Sequence, residues 1–349
     1  MKKSQCPESQ YVYNSTTFTF LYIEVDAWLN THVIFFTISL YSYKPVIVTC
    51  SLPDERYPTH VSIVDLNQAE LPPLDYVPIS DNIPLKDRKR NFTMCLSPLH
   101  GNPSSALNLI QYFELNRILG ADYFIVYNHS QYDRKNNELL NYYQQLGFVE
   151  IVQWKLPALV EQEDAVWYKA QLLMLQDCVY RNKGISKYVA TTDLDEFIIP
   201  LNSQNWTELL SKQPDACEYQ FRSVVLRRSD EQKRDQDVFK EHTISTLLNM
   251  ERATHIFPVN VRSKYIIQPN CVVVSGVHFM VSIQAQEEVI PTYMVPINEG
   301  LTYHYTEGGR FFATLGLCFH DTTLDRYAAT LMQITNLVFN YFNSTSKHS

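Results

Sequence analysis

Three carboxylates fall within four positions at Asp193-Leu194-Asp195-Glu196, directly after the apolar run Tyr188-Val189-Ala190. That run reads as a strand buried on both faces. In open α/β sheets, ligands bind at the carboxyl ends of strands. Asp193 and Asp195 lie two apart, so an extended or gently turning chain aims both at one point. Hard divalent cations such as Mn²⁺ or Mg²⁺ take oxygen ligands, often one or two carboxylates plus the phosphates of a substrate. The chemistry these residue types suggest is an Asp-x-Asp site for a metal and a sugar nucleotide. Asp after a strand is also a common turn residue or helix N-cap. What favours the metal reading is the buried strand before the motif, the acid after it and the strand–helix series leading up to it.

Three other groups could complete such a site. The loop from Ser97 through Pro98 to Gly101 lies where a nucleotide base or ribose sits in a sheet of this kind. It carries no Gly-x-Gly-x-x-Gly and no P-loop, so dinucleotide and ATP readings have little support. Two late histidines, His278 and His304, could each add an imidazole ligand. A displacement at a sugar carbon also needs a base for the acceptor hydroxyl. Glu196, Glu307 and Asp321 are candidates by chemistry, and the sequence does not choose among them. Trp154, Trp167 and Tyr168 could stack on sugar rings.

The elements that must position these groups come in two regions. Residues 1 to about 50 look all-β, with strands over Thr16–Val25, Val33–Tyr43 and Val46–Cys50 rich in Phe, Tyr, Ile and Thr. Pro72, Pro73, Pro78 and Pro84 mark a linker that ends in the basic run Lys86–Arg90. The expected division is a β-rich N-terminal region with its linker over 1–90 and an α/β domain over 91–345.

In the second region strands and helices alternate. Strands are predicted at Phe92–Leu96, Asp122–Tyr127, Phe148–Val152 and into Asp193. Helices are predicted at Ala106–Leu119 with one apolar stripe, Glu138–Leu146 and Ala165–Arg181. Beyond residue 200 the reading gives a short helix at Trp206–Leu210, a strand over Tyr219–Leu226, a charged loop at Asp230–Asp237, a strand at Cys271–Ser275 and a helix at Leu324–Tyr341. The order predicts a mostly parallel sheet with helical crossovers.

The chain has 349 residues, and its 45% hydrophobic content is enough for a substantial core. A net charge of −8 argues against a nucleic-acid partner. Seven cysteines at 6, 50, 95, 178, 217, 271 and 318 form no Cys-x-x-Cys pair. Sequons stand at Asn14, Asn91, Asn128, Asn205 and Asn343. Dispersed Cys and sequons favour a secretory lumen. No segment reaches the roughly 18 to 20 apolar residues of a membrane span.

Ordered stretches of this chain resemble glycosyltransferase family 92. They are Cys95-Leu-Ser-Pro-Leu-His-Gly101, Phe113-Glu-Leu-Asn-Arg-Ile-Leu-Gly-Ala-Asp122, Tyr127-Asn-His-Ser130, Gly147 through Pro157, Asp177-Cys-Val-Tyr-Arg-Asn182 and Lys187 through Pro200. The resemblance implies a GT-A-like fold, a UDP-sugar donor, Mn²⁺ (or Mg²⁺), inversion at the sugar carbon and a type II Golgi membrane protein. The family's membrane anchor is not visible in this sequence. By position, Asp193 and Asp195 would ligate the metal and His304 would be a further ligand. Ser97, Pro98, Gly101, Asn128 and Asp193 would contact the UDP-sugar. Some relatives are similar to β-1,4-galactosyltransferases acting on fucose of N-glycan cores, so the implied acceptor is a glycan or glycoprotein. Thr306 stands where the family pattern leads us to expect Arg. The alternative is a catalytically inactive, glycan-binding relative. A metal-dependent hydrolase has less support, because it needs a tighter cluster of acids and histidines.

Overall fold

The computed structural model describes residues 90–99, 106–129, 134–156, 166–227, 244–248, 250–285, 287–306, 312 and 314–345, together with short strands before residue 79. Strands β1 (Ile23–Asp26), β2 (Thr31–Thr37) and β3 (Pro45–Ser51) form an antiparallel sheet with β2 in the centre. The expected strand residues 16–22 and 38–43 lie outside the described residues. β4 (His60–Val61) and β5 (Val77–Pro78) make a short antiparallel pair.

The α/β series opens with β6 (Arg90–Leu99). It continues through α1 (Ala106–Leu119), β7 (Tyr123–Asn128), α2 (Arg134–Gln145), β8 (Val149–Gln153), α3 (Gln171–Arg181) and β9 (Ser186–Thr192). β8, β7, β6 and β9 lie side by side and parallel. Then come β10 (Glu196–Pro200), α4 (Trp206–Ser211), β11 (Ala216–Phe221), β12 (Ser223–Arg227) and α5 (Ser245–Leu248). The remaining strands are β13 (Glu251–Ile256), β14 (Lys264–Ile267), β15 (Val272–Val274), β16 (Ser282–Ile283), β17 (Ile290–Met294), β18 (Gly300–Thr306) and β19 (Cys318–His320). Helix α6 (Asp325–Thr345) closes the series. The main sheet has the order β17-β11-β14-β9-β6-β7-β8, and of these seven only β14 runs against the rest. This is the mostly parallel, helix-flanked GT-A-like α/β architecture expected from the alternation of elements.

The central strands β6 and β9 are buried on both faces because they are apolar at successive positions. Phe92, Met94 and Leu96 of β6 join one core with α1, α2 and α6, while Cys95 joins a second core with α3. In β9, Tyr188 and Ala190 go to the first core and Val189 to the second. A disulfide between Cys95 and Cys178 fastens β6 to α3, and another joins Cys217 to Cys271.

Three expectations are corrected. Helix α1 is buried all round its middle rather than along one stripe, because α6 packs on it. Its buried Glu114 accepts from Tyr143 Oη at 2.9 Å and from Arg117 at 2.9 Å. The strand predicted over Tyr219–Leu226 is two strands in two sheets. It breaks at Arg222, whose guanidinium donates to the Phe257 carbonyl at 2.8 Å. The helix predicted from Ala165 begins only at Gln171, because the backbone of Tyr168, Lys169 and Ala170 is left-handed. The charged loop Asp230–Asp237 lies outside the described residues.

β10, β18, β12, β13 and β19 form a second, five-stranded sheet. The chain therefore leaves the main sheet at Thr192 and enters the second at Glu196. The acidic turn Asp193–Asp195 is the crossing between them.

Candidate active site

Each sheet sends one neighbour to the acidic turn. On the main-sheet side β14 pairs with β9, Tyr265 opposite Thr191, which brings Lys264 level with the end of β9. On the other side Glu196 of β10 pairs directly with His304 of β18. The turn is held from several directions. Glu196 N donates to Asp193 O at 3.1 Å, and Asp193 N donates to Glu196 Oε2 at 3.1 Å. Tyr305 N donates to Asp195 O at 2.9 Å. Below it, the hydroxyls of Tyr112 and Thr192 bond at 2.9 Å.

Lys264 is the electrostatic centre. Its Nζ stands 3.0 Å from Asp193 Oδ2 and 2.7 Å from Glu196 Oε2. The side chains of Lys264 and Glu196 are both 3% exposed, whereas Asp193 is 36% exposed. Burial alone would push Asp193 up, but the Lys264 ammonium and the Ser97 hydroxyl hold it well below the usual carboxylate range. Burial also raises Glu196. One ammonium cannot neutralise the carboxylates crowded there, and Glu196 is pushed up to about 7. Burial works against a charge on Lys264, and its two carboxylate partners more than reverse that, so it stays protonated.

His304 faces both remaining acids. Its Nε2 is 3.6 Å from Asp195 Oδ2, and its Nδ1 is 3.5 Å from Glu196 Oε1. These are ion-pair distances, and Nδ1 is buried without a hydrogen-bond partner. Burial lowers the imidazole's proton affinity, but Asp195 and Glu196 raise it further, for a net upward shift; Arg262 opposes them. Asp195 is 42% exposed. Among the described residues no group of three or more His, Cys, Asp or Glu side chains is arranged to hold a metal ion by itself. Asp195 and the His304 imidazole open onto solvent beside Asp193, whose Oδ2 is occupied by Lys264. This set fits a hard cation that keeps few protein ligands and takes the rest from phosphate or water oxygens.

The other expected residues separate. Ser97 Oγ and Asp193 Oδ1 both accept from Gln171 Nε2, at 2.9 and 3.2 Å, so the end of β6 belongs to the site. Pro98 is buried in β6 beside Ser97. Asn128 ends β7, next to β6, with its Oδ1 buried and without a hydrogen-bond partner. Gly101 and Glu307 lie outside the described residues. His278 Nδ1 bonds the carbonyl of Ser263, the neighbour of Lys264, at 3.1 Å; burial, with Lys264 nearby, lowers its proton affinity. Asp321 is elsewhere. It accepts from Tyr303 Oη at 2.8 Å and lies 2.9 Å from Arg252 Nε, without the angle of a hydrogen bond. Tyr303 precedes His304 on a strand, so its side chain points to the opposite face.

Lys264 and Gln171 did not emerge from motif reading. The signal for Lys264 is a lone charge heading the apolar strand Lys264-Tyr265-Ile266-Ile267. For Gln171 no local signal exists, because its place depends on the unusual turn before it. Tyr168, Lys169 and Ala170 have φ of 44°, 52° and 63°. Left-handed conformations cost a non-glycine residue on the order of 1–3 kcal/mol each and persist only where the surroundings enforce them. Here Trp154 Nε1 donates to the Lys169 carbonyl at 2.8 Å, and Ala170 is buried.

Comparison with known proteins places the chain in a family. The model of a family described as glycosyltransferase family 92 matches residues 90–341. The chain is 31% identical over 168 residues to the beta-1,4-galactosyltransferase galt-1 of Caenorhabditis elegans, a match covering 46% of this chain and 38% of that protein. The chain thus matches less than half of that relative's length. Among solved structures, 4-diphosphocytidyl-2C-methyl-D-erythritol synthase from Anaerococcus prevotii is 9% identical with a TM-score of 0.30, covering 65% of this chain and 97% of that one. A mycobacterial protein is 12% identical with a TM-score of 0.28, covering 72% of each chain. At such scores neither likeness carries an argument.

Proposed function

Because the chain belongs to glycosyltransferase family 92, we propose that it moves a hexose, with galactose the first choice, from a UDP-sugar to a hydroxyl of a glycan acceptor with inversion. The single observation that supports this most is the acidic turn at the crossing of two sheets, with His304 facing Asp195 and Lys264 pinning Asp193. The named activity of the nematode relative supports galactose, and the implied acceptor is the fucose of an N-glycan core.

Asp195 and His304 would hold a Mn²⁺ or Mg²⁺ ion, with Asp193 beside them. A bound cation would offset the charge that grows on the departing diphosphate. The chain's own residues do the positioning. Lys264 keeps Asp193 ionised and in place. Gln171 ties Asp193 to Ser97, so that β6 and β9 present one edge to the nucleotide, with Asn128 next along that edge. Glu196 is buried against Lys264 and holds the turn, which leaves Glu307, three residues after His304, as the candidate base for the acceptor hydroxyl.

Two disulfides fit an oxidising compartment, so the proposed setting is the secretory-pathway lumen, with Golgi membrane attachment as in the family. No helix among the described residues is long and apolar enough to cross a membrane.

Calorimetric titration with UDP, with and without Mn²⁺, tests the reading. We expect binding that requires the metal and is weakened at least tenfold in Asp195→Asn and His304→Ala. UDP binding that is indifferent to metal and to both substitutions would overturn the assignment.

A further inference from the structure

We propose that Trp167 and Tyr168 form a platform on which a pyranose ring of the acceptor glycan stacks beside the candidate active site. This deepens the transferase reading and rests on it. Both residues are 54% exposed, an unusual state for large aromatics. Their ring centroids are 5.3 Å apart with planes inclined at 43°, so the two make one tilted shelf.

The support beneath the shelf is held by named contacts. The left-handed backbone of Tyr168, Lys169 and Ala170 turns the rings outward while sinking Ala170 into the core. Trp154 fastens the Lys169 carbonyl through its indole N–H. Trp154 itself is buried and set edge-on against Tyr127, with centroids 5.2 Å apart. Of the three aromatics that could stack on sugars, the structure thus makes Trp154 a support and the other two a surface.

The location supplies the occupant. Gln171, next in the chain, bonds Asp193 and Ser97. Tyr168 therefore lies within three peptide units of a residue that touches the site, at most about 11 Å along the chain. A pyranose has a C–H face that packs on an aromatic ring while its hydroxyls remain at the edge, free for solvent or reaction. A nucleobase could also stack on such rings, and that possibility is one outcome of the test.

The experiment compares the whole chain with the Trp167→Ala/Tyr168→Ala double variant and the Trp167→Phe/Tyr168→Phe double variant, each checked for native circular dichroism. Binding is read on an array of N-glycans that includes core-fucosylated members, and UDP binding is titrated with Mn²⁺. We expect the alanine variant to lose glycan affinity by about tenfold or more, the worth of one good aromatic contact. The phenylalanine variant should retain it, and UDP affinity should be the same in all three. Equal glycan binding by the alanine variant, no glycan bound by the wild type, no rescue by phenylalanine, or a parallel loss of UDP would each overturn the platform. A wild type that binds glycan through these rings but never binds UDP contradicts the transferase reading and leaves the platform standing as a glycan site.

Discussion

Lys264 neutralises Asp193 and Glu196 from a position almost closed to water, and removing one member of a buried ionic cluster leaves the others unpaired. Lys264→Met should therefore destabilise the fold by about 3 kcal/mol in urea unfolding at neutral pH, tempered because Asp193 is partly solvated. Adding Glu196→Gln to that variant should recover part of the loss, since one stranded carboxylate is then removed. Additive effects of the two substitutions would contradict the coupling. Glu196 carries a separate pH signature. Its folded value is pushed up to about 7, above its ordinary value. The proton it holds in the folded state stabilises the fold fully below the ordinary carboxylate range, and that contribution is lost as the pH rises through about 7. The stability of Glu196→Gln relative to wild type should accordingly improve between pH 5 and pH 8, and a flat difference would contradict the shift.

Elements differ in how openly the sequence declares them. β6, β7, β8 and β9 are legible as apolar runs, and α1 and α2 as the segments between them that end at Gly120 and Gly147. The acidic turn after β9 was legible for the same reason. The second sheet was not, since its strands are short and are drawn from distant parts of the chain, and nothing local says that β10 pairs with β18. The break before α3 was hidden too. Trp167-Tyr168-Lys169-Ala170 contains no glycine or proline, and its left-handed turn is imposed by Trp154 from another segment. Trp154→Phe should then cost about 1 kcal/mol of stability by removing that hydrogen bond, and it should also weaken glycan binding, whereas a neutral substitution would mean the turn holds itself. The Cys95–Cys178 bridge joins β6 to α3 across a separation of 83 residues. Replacing both cysteines by serine should lower stability by about 4 kcal/mol on loop-closure grounds, read as a shifted denaturant midpoint.

The molecule as a whole places its candidate site where two sheets exchange the chain. The mostly parallel sheet contributes Ser97, Asn128 and Lys264, and the crossing turn contributes Asp193 and Asp195. The second sheet contributes Glu196 and His304. Helix α3 contributes Gln171, and the turn before it contributes the aromatic shelf. Sequence reading singles out the acids and His304 as candidates, and it predicts the mostly parallel sheet that the structure has. It could not see that Lys264 would meet Asp193, because that depends on β14 lying antiparallel beside β9. The most direct test of the account is the release of UDP from UDP-galactose by the purified chain, given a core-fucosylated N-glycan and Mn²⁺, with Asp193→Asn and Asp195→Asn run alongside. Turnover that needs both the metal and the acceptor, and that is lost in both variants, is the predicted result. Turnover that survives both substitutions, or folded protein that binds the glycan yet releases no UDP with any sugar donor, would contradict it.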